Sequence, residues 1–229
     1  MRESERPERP STVLFDVDGT LIDTYRLYLE AYSRALRPYV GRSPAHTEIA
    51  EQRPSSEKRF LTDWLGARDG ETCHAAMCDE YETLHPTHCE GAYEGVREML
   101  LALRTVGVGV GVVTGKGRRA WDVTEREMRL GPFAVVVTED DVRHPKPDPE
   151  GLLRAIEALG VRPAETVYIG DSVTDVEAAR AAGLRAAAAL WPKSEPEDRS
   201  AFLAAIERFT PDWVFERPSD VTRLVAPWC

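Results

Sequence analysis

The chain has 229 residues, 42% of them hydrophobic and 30% charged, and a net charge of −10. That leaves room for one sizeable α/β domain and a smaller inserted one, in an ordinary soluble globular mix. The negative excess argues against nonspecific binding to nucleic acid or anionic membranes, and no apolar stretch approaches the roughly 18 residues of a membrane span.

The first ten residues are polar, carry arginines and glutamates, and lack the apolar region of a secretory signal. Residues 1–10 read as a disordered tail and the protein as cytoplasmic. Cys73, Cys78, Cys89 and Cys229 form no convincing disulfide framework for a chain of this length.

The first predicted strand, 12–16 (TVLFD), runs straight into Asp16-Val17-Asp18-Gly19-Thr20. Carboxylates at the carboxyl end of such a strand lie where open α/β sheets place their ligands. Asp16 and Asp18 are two residues apart, so in a regular strand their side chains point the same way. Two such charges need a cation or a proton between them, which points to a divalent metal.

About 90 residues separate this strand from the next one, far more than a crossover helix needs. The gap reads as helical, over 24–37, 46–52, 56–65 and 71–84. Residues 22–92 are therefore expected to form an inserted helical domain lying over the ligand end of the sheet, as a lid does. The remaining strands are predicted at 108–113, 134–138, 166–170 and 185–190, the last weakly because alanine favours helices. Helices are predicted at 94–106, 117–130, 148–160 and 174–182, and an edge strand with a closing helix within 211–225. Alternating strands and helices argue for a parallel sheet covered on both faces.

Three later loops carry further polar groups. Strand 108–113 ends in Thr114-Gly115-Lys116, where a hydroxyl and close backbone approach could hold a phosphate. Lys146 stands between two prolines that restrict its backbone. Strand 166–170 leads into Asp171, and Asp175 follows in the first turn of the next helix. Asp16, Asp171 and Asp175 supply the oxygen ligands a hard cation such as Mg²⁺ takes.

Together these four sites resemble the motifs of the haloacid dehalogenase superfamily over about residues 11–225. The inserted helices are similar to the cap of its phosphoglycolate phosphatase and β-phosphoglucomutase branch. The resemblance implies an α/β, Rossmann-like parallel core made of 11–21 and 93–229, with 22–92 as cap. It implies that Asp16 is a nucleophile forming an aspartyl-phosphate and that Asp18 is the general acid and base. Thr114, Gly115 and Lys146 would then bind the phosphoryl group. Mg²⁺ would be held by Asp16, the backbone carbonyl of Asp18, Asp171 and Asp175.

The expected activity is that of a phosphatase acting on a small phosphorylated metabolite; phosphoglycolate, pyrophosphate and sugar phosphates are family-level candidates. A phosphosugar mutase would use the same aspartates, and a noncatalytic phosphate-binding regulator is a third alternative. An aspartate at position 18 disfavours dehalogenase and phosphonate chemistry, because such relatives lack it.

Other polar residues carry plainer readings. Lys116, Arg118 and Arg119 are expected as a solvated helix start, and Trp191 as packing. Arg42, Arg53, Lys58 and Arg59 are candidates for a substrate anion, and His144 for a substrate contact. The cap also holds Cys73, His74, Cys78, His85, His88 and Cys89. The spacing of Cys73 and Cys78 fits a pair of zinc ligands, but helical periodicity reads Cys73 and Met77 as a half-buried face. These residues are expected in the core or at the surface. Oligomeric state is not legible.

Overall fold

The computed structural model describes residues 9–52 and 56–225. Most of the expected tail, together with Arg53 and Cys229, lies outside the described residues. Of that tail, Pro10 is buried and the Arg9 guanidinium donates to the Val106 carbonyl at 2.8 Å.

In chain order the elements are β1 (Thr12–Phe15), β2 (Ile22–Asp23), α1 (Tyr25–Val40), α2 (His46–Glu51), α3 (Glu57–Leu65), α4 (Ala67–His88) and β3 (Gly91–Ala92). There follow α5 (Val96–Thr105), β4 (Gly109–Val113), α6 (Arg118–Met128), β5 (Val136–Val137), α7 (Glu150–Leu159) and β6 (Thr166–Gly170). The chain continues through α8 (Val173–Ala181), β7 (Arg185–Ala189), α9 (Pro196–Ile206), β8 (Trp213–Phe215) and α10 (Pro218–Val221).

Six strands form one sheet in the order β5-β4-β1-β6-β7-β8, and every pairing is parallel. Successive side chains of β1 point to opposite faces: Val13 and Phe15 join one apolar cluster, Leu14 the other. Both faces are covered, by α5 on one side and by α7, α8 and α9 on the other. That double cover explains why β1 is a continuous apolar run rather than an alternating one.

β7 is a strand despite its four alanines. Ala186 to Ala189 are buried between β6 and β8, and Ala186 and Ala188 pack with Ala178 and Ala179 of α8. Small side chains there let sheet and helix approach closely, so tertiary packing overrides local propensity. Helix α9 falls in a stretch for which no helix is expected from the sequence. Its signal is Pro196 in the first turn, followed by Glu197 and Asp198, with Phe202 and Ile206 buried four residues apart.

The chain leaves the sheet region through β2 and returns through β3. These short strands pair antiparallel, Ile22 with Ala92 and Asp23 with Gly91. Helices α1 to α4 lie between them around their own apolar cluster, which includes Leu36, Ile49, Leu61, Met77 and Tyr81. Ala120 and Val123 of α6 join that cluster, so the helical segment packs on the sheet domain beside the loop after β4. Among the described residues no helix is long and apolar enough to cross a membrane.

Candidate active site

The sheet order brings the expected residues to one end. β1 lies between β4 and β6, with Phe15 in register with Val112 and Ile169. The residues after each strand, Asp16, Thr114 and Asp171, therefore emerge side by side. Asp16 stays attached to the ladder, its N–H donating to the Ile169 carbonyl at 2.9 Å.

Two glycines permit the close approach of the carboxylates. Gly19 has φ +77°, and a Cβ there would lie 2.7 Å from both Asp171 oxygens. Gly170 would set a Cβ 2.4 Å from Asp175 Oδ2. Thr20 Oγ1 donates to Asp171 Oδ1 at 3.2 Å, and Trp191 Nε1 fixes the Thr20 carbonyl at 2.9 Å. Trp191 thus borders this loop as well as packing.

Lys146 reaches back from the Pro145–Pro147 loop to two of the carboxylates. Its Nζ lies 3.0 Å from Asp16 Oδ1 and 2.6 Å from Asp175 Oδ1. It also donates to the Tyr168 hydroxyl at 3.0 Å. Asp175 Oδ2 accepts from the backbone N–H and hydroxyl of Ser172 at 3.0 and 2.6 Å, closing a capping box on α8. Both Asp175 oxygens are therefore engaged.

Burial raises the Asp16 carboxyl to about 7, with Lys146 opposing the rise. Burial raises Asp171 too, and Lys193 opposes. For Asp175 burial again raises, but Lys146 and Ser172 outweigh it, and the net shift is downward. Burial alone would lower Lys146; Asp16 and Asp175 hold it well above its ordinary value.

This donor set fits a hard divalent ion. Oxygens of Asp16, Asp171 and Asp175 lie within 4.8 Å of one another. Asp16 Oδ1 is buried and, although near Lys146, has no hydrogen-bond donor. Three largely buried carboxylates here face only the ammonium groups of Lys146 and Lys193 as counter-charges, so negative charge is left over that a divalent cation would offset. Lys193 was not anticipated: its Nζ lies 2.6 Å from Asp171 Oδ2. Nothing in its local sequence signals this, because Lys193 meets Asp171 only once β7 pairs beside β6 and the loops after the two strands come together.

Asp18 faces the helical segment. Its Oδ1 accepts from Thr24 Oγ1 at 2.5 Å and lies 2.9 Å from Lys116 Nζ. The structure corrects the expectation of a solvated Lys116, which is only 1% exposed. Its ammonium donates to the hydroxyls of Tyr28 on α1 and Tyr81 on α4, both at 2.8 Å. It also lies 4.5 and 4.6 Å from the centroids of their rings. Burial would lower this lysine, but Asp18 and Tyr81 hold it above its ordinary range.

Arg118 and Arg119 are more exposed and pair with Asp141 and Asp79 at 2.5 Å each. Thr114 is buried, its hydroxyl accepting from the Lys116 N–H at 3.3 Å, and Gly115 is half-buried beside it. The candidate anion ligands Arg42, Lys58 and Arg59 are paired with Glu48, Asp140 and Asp63. A cavity of 1210 Å³ between α3, α4 and the 139–148 loop is lined by Lys58, Arg59, Arg143 and His144. Asp16 and Asp18 do not line it.

Residues 13–189 match the model of the family described as haloacid dehalogenase-like hydrolase. The chain belongs to that family and is an enzyme of the phosphatase type. Pyrophosphatase PpaX of Bacillus velezensis is 32% identical over 95% of this chain and 97% of its own length. A Lactobacillus plantarum structure provisionally named phosphoglycolate phosphatase is 25% identical, with a TM-score of 0.78. That match covers 95% of this chain and all of that one, 100%. A Thermotoga maritima structure provisionally named β-phosphoglucomutase is 26% identical with a TM-score of 0.70, covering 93% of this chain and 97% of that one.

Proposed function

We propose that this enzyme hydrolyses a small phosphorylated metabolite in a Mg²⁺-dependent reaction that passes through an aspartyl-phosphate on Asp16. The carrying observation is the buried Asp16 carboxylate at the end of β1, with Lys146 Nζ 3.0 Å away and Asp171 and Asp175 beside it.

Asp16 attacks phosphorus and the phosphoryl group moves onto its carboxylate. Lys146 is oriented by Asp175 and Tyr168, and it keeps the negative charges of Asp16 and phosphate together. Thr114 and the Gly115 backbone receive phosphoryl oxygens at the neighbouring strand end. Asp18, two residues after the nucleophile, gives a proton to the leaving oxygen and then takes one from the water that cleaves the acyl-phosphate. Asp16, the Asp18 carbonyl and Asp171 would hold Mg²⁺, with Asp175 behind them. When bound, the ion supplies positive charge that screens nucleophile from phosphate. Helices α1 to α4 act as a cap, residues 22–92, that presents Tyr28 and Tyr81 to the acid side of the site.

The name of the 32% identical relative makes inorganic pyrophosphate the first substrate to try. The test is phosphate release from pyrophosphate, phosphoglycolate and sugar phosphates with Mg²⁺. Release abolished both by Asp16→Asn and by EDTA supports the reading. Turnover that survives Asp16→Asn overturns it.

A further inference from the structure

We propose that Glu57, His74 and Cys78 form a second metal site, for a borderline-soft divalent ion such as Zn²⁺, separate from the carboxylate cluster at Asp16. The three donor atoms lie within 4.8 Å of one another. His74 and Cys78 are four residues apart on α4 and so share one helix face. Glu57 comes from the first turn of α3.

The geometry converges on a point rather than forming a relay. Glu57 Oε2 and Cys78 Sγ both approach the same ring nitrogen, His74 Nε2, at 3.2 and 3.8 Å. A catalytic relay uses the two opposite ring nitrogens. One N–H cannot serve an oxygen and a sulfur equally, whereas one ion among three ligands can. Zn–N and Zn–O near 2.0–2.1 Å and Zn–S near 2.3 Å put tetrahedral edges at about 3.3 Å for N···O and about 3.5 Å for N···S. The observed separations lie close to both. Thiolate and imidazole donors select zinc-like ions over Mg²⁺.

The surroundings fit a ligand set. Glu57 is 3% exposed, and its other oxygen accepts from the Tyr28 hydroxyl, which orients the carboxylate. Gly117 brings the loop after β4 against the cluster. A Cβ there would lie 2.8 Å from Glu57 Oε2 and 3.6 Å from His74 Nε2. Three protein ligands leave a fourth position for water. Tyr28 also accepts from Lys116, which faces Asp18. An ion here would therefore fix α3 to α4 and steady the Tyr28–Lys116 contact behind Asp18.

The test is a Co²⁺ titration of the full chain after chelation, followed by Zn²⁺ competition. The expected result is one equivalent of a thiolate-to-cobalt absorption band that Zn²⁺ displaces and that Asp171→Asn retains. Cys78→Ser removes the band, and His74→Gln weakens Zn²⁺ binding at least about tenfold, the two variants being independent should one fail to fold. The site is refuted if no such band forms, if the band survives Cys78→Ser, or if it disappears with Asp171→Asn.

Discussion

Lys116 Nζ stands 2.9 Å from Asp18 Oδ1, and the two differ sharply in exposure: the lysine side chain is fully buried, the aspartate side chain 27% exposed. The pair is therefore asymmetric. Asp18 can be hydrated if its partner is removed, whereas the ammonium among Tyr28 and Tyr81 cannot.

It follows that Asp18→Asn destabilises the fold by more than Lys116→Met. Leaving an uncompensated buried charge costs about 3 kcal/mol, and the two tyrosine hydroxyls recover part of that. Lys116→Met keeps the stem packing and leaves the partly exposed Asp18 to be hydrated, at a cost of about 1 kcal/mol for the lost hydrogen bonds. Urea melts of the two variants check the order; equal midpoints would mean that the ion pair contributes little.

Magnesium should stabilise the protein more at pH 8 than at pH 5. Burial raises Asp16 from 3.8 to about 7, so the folded state binds its proton more tightly than the unfolded state does. The contribution of this group is fully present below about pH 4 and is lost as pH rises through about 7. Under the proposed reaction Mg²⁺ would bind the ionised form, so it would compete with a proton at pH 5 and restore the loss at pH 8. Thermal melts with and without Mg²⁺ at the two pH values test this, and a larger shift at pH 5 contradicts it.

Lys193→Met should lower the Mg²⁺ concentration needed for half-maximal binding, by about three- to tenfold. Lys193 neutralises Asp171 at 2.6 Å, and a cation removed from that oxygen no longer competes with the ion. Calorimetric titration reads the change, and unchanged or weaker binding would show that Lys193 assists rather than competes.

Gly170→Ala should reduce turnover by about tenfold or more. The added Cβ would lie 2.4 Å from Asp175 Oδ2, so Asp175 must move and release Lys146. A kcat close to that of the unaltered enzyme would mean that Lys146 needs no such anchor.

The sheet was largely legible because strand signals are local. TVLFD, VGVGV and TVYIG are apolar runs that end in polar loops, and they became β1, β4 and β6. Asp16, Lys146, Asp171 and Asp175 could be picked out because each follows a recognisable strand or sits in a constrained loop, and the fold brings them within reach of one another. Lys116 was misread for a physical reason. Next to Arg118 and Arg119 it looks like a charged helix start, and its burial depends on tyrosines 88 and 35 positions away in sequence. Lys193 and Glu57 were missed likewise, since their partners arrive only through tertiary packing. Periodicity reports which face of an element is apolar, not which distant side chain will cover it.

The pairing of Ile22 with Ala92 and Asp23 with Gly91 places the departure and return of the helical excursion in neighbouring positions. From the viewpoint of the sheet, everything between them is closed by two paired antiparallel strands, whatever its length. A different helical segment could be grafted between those two points without altering the register of β1. The graft would have to match Ala120 and Val123 on α6, supply hydroxyls to Lys116, and replace the contacts of Ser56, Glu57 and Lys58 with Glu139 and Asp140. Substrate choice could then diverge in such proteins by exchanging this segment while the end of the sheet that carries Asp16, Thr114 and Asp171 stays fixed.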